Sequence, residues 1–164
     1  MADHVWTVLC TQAIVEAGSN QISLIAIVED VSIHASEEQV RRTILEAGTK
    51  DPTSVAIGPT MELVTYWVRS NYAEPELGSA RIAIQTPSGE FRPWQELPLD
   101  LQAKAGWRIR VKLPGVPMLS GLYRFWVQQK TGSDQWDTVA KIPFTVDFQP
   151  VASEPIAAAE PTGP

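Results

Sequence analysis

The segment Trp107 to Leu113 reads WRIRVKL, and it constrains the fold more than any other stretch of the chain. Trp107, Ile109, Val111 and Leu113 fall on one side of an extended chain; Arg108, Arg110 and Lys112 fall on the other. A helix would scatter these residues around its axis, whereas a strand sorts them into an apolar and a charged face. The pattern predicts a half-buried antiparallel strand. Ala80 to Thr86 repeats it, with Ile82 and Ile84 opposed to Arg81, Ala83 and Gln85. So does Leu122 to Lys130, with Tyr123, Phe125 and Val127 on one face. A chain built of such segments must cover the apolar face of one sheet with another layer.

The other strands are predicted on weaker signals. His4 to Cys10 and Met61 to Tyr72 are rich in β-branched and aromatic residues. Ile22 to Val28 is almost continuously apolar, which predicts a strand buried on both faces or at the sandwich centre. Phe91 to Leu97 is interrupted by Pro93, and Val139 to Phe148 carries Pro143, which marks an edge or a bulge. Turn chemistry separates them: Ala17 to Asn20, Lys50 to Pro59, Pro87-Ser88-Gly89 and Thr131 to Asp137. One helix is expected, over residues 36–48. Ser36 caps it, Gln39 completes a capping box, Glu37 and Glu38 suit its positive end, and Gly48 stands where it should stop. Only one helix argues against a parallel α/β sheet. Residues 149–164 hold four prolines and no aromatic, too little apolar surface to offset ordering, so a disordered tail is expected after a domain of residues 1–148.

Several of these segments also carry a resemblance. Leu9-Cys10, the turn at Gly18 to Asn20, and Ser23-Leu24-Ile25-Ala26-Ile27 followed by Glu29-Asp30 form one group. Thr86-Pro87-Ser88-Gly89, Ser120 to Val127 and Phe144-Thr145-Val146 form the rest. Together they resemble a family of uncharacterised bacterial β-sandwich proteins, a domain of unknown function, over most of residues 4–148. The helical insert and the tail depart from that pattern. The resemblance implies a fold and no activity. The Gly121-Leu122-Tyr123 step also resembles immunoglobulin-like sandwiches, where a Tyr near a strand start bonds back to loop backbone. The expectation is therefore an all-β, antiparallel immunoglobulin-like β-sandwich of 7–8 strands with one short inserted helix.

Charge and residue types narrow the function classes. The net charge is −6, and −4 without Glu154 and Glu160 of the tail, which argues against general nucleic-acid binding and against docking on anionic lipid. The one cysteine, Cys10, permits no intrachain disulfide and suggests a reducing, cytoplasmic setting; at the end of an apolar strand it reads as a buried small hydrophobe. No apolar run reaches the length of a membrane helix. His4 and His34, the only histidines, lie too far apart in sequence to suggest a zinc site, and His34 is expected at the surface. Glu29, Asp30, Asp51, Asp100, Asp134 and Asp137 are scattered acids rather than a calcium loop. No nucleophile elbow, Gly-rich phosphate loop or Walker motif occurs, so neither an enzyme nor a cofactor is implied.

One constellation stands out. Arg108, Arg110 and Lys112 share a face, and Arg124, Trp126 and Gln128 share a face of a later strand. If those two strands pair, cations and an aromatic meet in one patch. Such a patch suits an acidic partner, or else is a solvated face with cross-strand acids. Trp126 on a polar face calls for cover, from an Arg or Lys stem or from a partner. Trp94, Trp107 and Trp136 raise the same question, and aromatic loops also bind sugars. The expected function is a non-enzymatic interaction or scaffold domain for a protein partner or a second copy. The alternative is a small-ligand or carbohydrate-binding module using exposed Trp residues.

Overall fold

A computed structural model describes residues 1–48, 55–133 and 135–151. The expected tail from residue 152 onward and most of the first part of the Lys50–Pro59 loop lie outside the described residues. Among those described, the chain is mostly strand: β1 (Asp3–Val15), β2 (Ile22–Ile27), β3 (Asp30–Ser36), β4 (Ala56–Ile57), β5 (Met61–Val68), β6 (Glu76–Gln85), β7 (Phe91–Leu101), β8 (Gly106–Leu113), β9 (Val116–Pro117), β10 (Gly121–Lys130) and β11 (Trp136–Val151), with one helix, α1 (Glu37–Glu46). The all-β class stands.

The strands form a four-stranded sheet ordered β2-β1-β5-β8, a five-stranded sheet ordered β3-β11-β10-β6-β7, and a small β4-β9 ladder. All pairs are antiparallel except β3 with β11. One core takes side chains from both large sheets: Leu9, Leu63 and Val111 from the first, Ile82, Tyr123, Phe125, Phe144 and Val146 from the second. Phe144 stacks between Phe125 and Tyr123, at ring-centroid distances of 5.0 and 5.3 Å. The expected period-2 faces of β6, β8 and β10 put these residues inward. The first sheet is curled. Its last strand, β8, reaches the turn between its first two strands, because Arg108 Nη1 donates to the backbone oxygen of Asn20 at 2.8 Å.

Local chemistry behaves as expected in α1. Ser36 Oγ accepts from Gln39 N, Gln39 Oε1 accepts from Ser36 N, and Gly48 follows the helix with φ of 63°. Tyr123 donates its hydroxyl to the backbone oxygen of Leu119 at 2.9 Å, the bond back to loop backbone expected of it. Burial pushes that phenol up to about 12, so it stays a donor at any physiological pH.

Three expectations are corrected. Ile22 to Val28 is not buried on both faces: β2 is the outer strand of its sheet, and Ile25 and Ile27 are exposed. A continuous apolar run records low polarity on both faces, not what covers them. β3, absent from the predicted strands, alternates exposed and buried residues, with Val31, Ile33 and Ala35 inward. The last strand runs to Val151 rather than Phe148, because β3 pairs with it as far as Ser36. Pro143 does sit at an edge: β3 pairs with β11 only from Thr145 onward, so the side of β11 away from β10 has no strand partner at Pro143.

Candidate functional site

The predicted patch is divided between two sheets. β8 pairs with β5 at the margin of the first sheet, while β10 lies between β11 and β6 in the second. Arg108, Arg110 and Lys112 are therefore together, Arg124 and Trp126 are together, and the two groups do not form one surface. Alternation fixes which face a residue takes, but long-range pairing decides which strand lies beside it.

On the first sheet, Arg108, Arg110 and Lys112 project from the face opposite the core. Arg110 forks onto Glu62 of β5, with Nε and Nη2 each 2.9 Å from a carboxylate oxygen. Lys112 stands directly opposite Glu62 in the strand register. Glu62 is nearly buried, so the pair is held in one geometry rather than free in water. Arg108 is bound to Asn20 through its backbone and side-chain oxygens and lies 5.4 Å over the Tyr66 ring. Asn20 adopts a left-handed φ of 55°, which Asn tolerates. Lys104 lies 5.7 Å over Trp107. Asn20, Tyr66, Lys104, Trp107, Arg108 and Arg110, with Val15 and Gly106, line a cleft of about 500 Å³ on the curled sheet. A Cβ on Gly106 would stand 2.5 Å from the Tyr66 hydroxyl, so the glycine makes room for the ring. A separate small apolar cluster gathers Cys10, Ala13 and Val64. Cys10 is fully buried, and burial together with the nearby Glu62 carboxylate pushes its thiol up, away from reactive thiolate.

On the second sheet, strand register places a different set of cations around Trp126. Opposite residues share a face in an antiparallel pair. Trp126 stands opposite Lys141 of β11 and Ala83 of β6; Arg124 opposite Pro143 and Gln85; Gln128 opposite Arg81. Lys141 Nζ lies 4.0 Å over the Trp126 ring, and Phe91 meets that ring edge-on at 5.6 Å. The cover expected for Trp126 is thus a lysine of the adjacent strand. Its indole N–H is buried and has no hydrogen-bond partner. Trp136 sits under two cations, Arg81 at 4.5 Å and Lys130 at 5.8 Å. Arg81 also donates to Gln128, and Glu96 stands opposite it in register. Arg81, Arg124, Lys130 and Lys141 are four cations on one face with Trp126 and Trp136. Of the four cations on this face, sequence reasoning placed only Arg124 beside Trp126, together with Gln128. Arg81 was legible as outward-facing in its own strand; nothing in the sequence said that its strand neighbours β10.

Trp94 is exposed near the core margin, away from this face, and Trp67 is wholly buried. His34 is exposed, and His4 is half-buried, bonded to Thr7 and edge-on to Trp67. Among the described residues no three His, Cys, Asp or Glu side chains converge to hold a metal ion, and no helix is long and apolar enough to cross a membrane. Searches against protein-family models and against curated proteins find no match for the chain.

Proposed function

We propose that the protein is a non-enzymatic interaction domain that engages an acidic protein segment through the outer face of the β11-β10-β6 sheet. The observation that carries this reading is the gathering of Arg81, Arg124, Lys130 and Lys141 around Trp126 and Trp136 on a chain whose net charge is −6. A cation-rich patch on an acidic protein steers an acidic partner to one face and repels it from the rest. Trp and Arg are also the residues that dominate interface energetics. The net negative charge favours a protein segment over a nucleic acid. The same reading places the protein in the cytoplasm, supported by a lone, buried cysteine. It treats the two packed sheets as an immunoglobulin-like sandwich variant related to the family the motifs resemble, supported by the Tyr123–Leu119 bond.

The test is titration of a labelled Asp/Glu-rich peptide, with a neutral peptide of equal length alongside, followed by Trp fluorescence. Binding of the acidic peptide alone, weakened by salt and by about tenfold in Arg124→Glu or Lys141→Glu, supports the reading; tenfold is about 1.4 kcal/mol. Equal binding of both peptides, or binding indifferent to both variants, defeats it.

A second reading rests on the cleft of the curled sheet, where Lys104, Arg108 and Arg110 meet beside Tyr66 and Trp107. It suits a small anionic ligand. The carbohydrate reading gains no support from the Trp rings, since Trp107, Trp126 and Trp136 each carry a cation over one face instead of forming an open platform.

A further inference from the structure

Lys104, Arg108 and Arg110 line the cleft on the first sheet, and among the described residues no carboxylate lines it with them. The three cations differ in what answers their charge. Arg110 has both arms of its fork on Glu62, so its charge is met within the sheet. Arg108 bonds Asn20 through Nη1 alone, which anchors the guanidinium and leaves Nε and Nη2 without a partner. Lys104 lies over the Trp107 ring and, among the described residues, has neither an acid nor a hydrogen bond. The Tyr66 hydroxyl makes no hydrogen bond among them either; it stands over Gly106, in the space a Cβ would fill. Glu16, in the turn that carries Asn20, is engaged by the Ser19 hydroxyl. These donors are held in place. Arg69 Nε and Nη2 donate to the backbone oxygens of Leu101 and Gln102, and the Arg69 amide donates to that of Ala105. The short loop that carries Lys104 is thus tied at both ends. Tyr66 lies beneath Arg108 as Trp107 does beneath Lys104, and each ring attracts the charged head above it.

We infer that this cleft binds a small-molecule phosphate monoester. This deepens the second reading above, of the cleft as a site for a small anion, and rests on it. Charge selects the dianion. Lys104 and Arg108 are two cations without an acid among the described residues, and a phosphate monoester carries about −1.5 to −2 charges at pH 7. A carboxylate carries one. Shape selects the phosphate as well. Guanidinium arms, an ammonium and a phenol hydroxyl supply donors of three kinds, which suit a group with three terminal oxygens. A carboxylate is satisfied by a single arginine fork, as Glu62 is by Arg110. The Asn20 oxygens are already taken by Arg108, so they set no lone pair against an anion. Size selects the ester over the free ion. At about 500 Å³ the cleft falls in the range of small-molecule sites, and Val15 gives it an apolar wall for an organic group. The site lies on a different sheet from the basic-aromatic face and stands or falls independently of it.

The test is calorimetric titration of the full chain with phenyl phosphate, and in parallel with methyl phenyl phosphate, benzoate and inorganic phosphate. Phenyl phosphate is expected to bind about tenfold or more tightly than methyl phenyl phosphate and benzoate, which carry one charge each. It is also expected to bind more tightly than inorganic phosphate, which lacks the organic group. Lys104→Gln removes an exposed side chain with no hydrogen bond, so its circular dichroism should be unchanged while phenyl phosphate binds about tenfold more weakly. Arg108→Gln should weaken binding at least as much. Arg124→Glu and Lys141→Glu, on the other sheet, should leave it as it is. If none of the probes binds, the inference and the anion reading both fall. Benzoate or methyl phenyl phosphate binding as tightly as phenyl phosphate overturns the inference alone and leaves the anion reading standing. Inorganic phosphate binding as tightly as phenyl phosphate overturns it too. So does a phosphoserine peptide that displaces phenyl phosphate at a lower concentration than free phenyl phosphate needs, since the ligand would then be a protein segment. Binding of phenyl phosphate that survives both Lys104→Gln and Arg108→Gln puts the site elsewhere and overturns it as well.

Discussion

Removing the Arg110 guanidinium is the perturbation whose cost follows most directly from the geometry. In Arg110→Ala, the Glu62 carboxylate, whose side chain is 8% exposed, keeps its burial and loses both forked bonds. Breaking a buried pair by removing one partner costs roughly 3–5 kcal/mol. Here the figure falls to about 2 kcal/mol, for two reasons. Arg110 is itself 37% exposed, so solvent screens the attraction, and Lys112 stands opposite Glu62 and inherits part of it. For a chain of this size that is a fall of about 4–8 °C in Tm. The companion variant Glu62→Gln with Arg110→Ala removes the stranded charge and should recover more than half of the loss. Arg42→Ala provides the contrast: its pair with Glu46 is 3.9 Å apart, with both side chains at least 70% exposed, and should cost less than about 0.5 kcal/mol. Urea unfolding of the wild type, Arg110→Ala, Glu62→Gln and the double variant closes the cycle, with Arg42→Ala measured alongside. An Arg110→Ala cost no greater than that of Arg42→Ala, or strict additivity with Glu62→Gln, would refute the claim that burial makes this ion pair matter.

Three further outcomes are expected. Tyr123→Phe should lower the unfolding free energy by about 1–2 kcal/mol in urea melts, because it keeps the ring stack on Phe144 and removes only the donor to Leu119; an unchanged midpoint would mean the bond contributes nothing. Gly121→Ala should cost about 2–3 kcal/mol by the same assay, since a Cβ there meets Pro87 at 2.7 Å on a backbone with φ of 139°; Gly18→Ala, with open space around it, should be mild. Glu76 has its carboxyl held down to about 2, first by the amino terminus of Met1 and then by Ser70. A folded-state value below the ordinary 4.5 contributes stability above pH 4.5 that is lost as pH falls from 4.5 toward 2. Glu76→Gln should therefore flatten the pH dependence of Tm in that window, and an identical slope in the variant would count against the assignment.

How far the sequence reaches is set by the range of the physics involved. The cap of α1 is made by residues three apart, Ser36 and Gln39, and reading them was enough. The inward faces of β6, β8 and β10 follow from backbone pleating, which is equally local, and Ile82, Val111 and Phe125 are all in the core. β3 carried the same period in Val31, Ile33 and Ala35, yet it runs straight into the cap of α1 with no turn between them and was not among the predicted strands. The apolar run at Ile22 to Val28 failed differently. Its composition is that of an interior strand, and only the sheet order, with β2 outermost, leaves Ile25 and Ile27 bare.

The candidate site failed at the same boundary. Arg110 and Trp126 each face away from the core, as alternation requires, yet their neighbours come from strands 48 and 15 residues away: Glu62 from β5 and Lys141 from β11. No local pattern encodes those partners, because a strand's polar face looks the same whichever strand lies beside it. What the register adds is chemical. It gives Arg110 a carboxylate and so makes it structural, and it gives Trp126 a lysine and leaves Arg124 beside Pro143 and Gln85, neither of them an acid. Arg110 is thus neutralised by Glu62, whereas Arg124 and Lys141 face no acid across their strands. That is why the proposed interaction surface lies on the second sheet, and why reversing Arg124 or Lys141 is the sharper test than reversing Arg110.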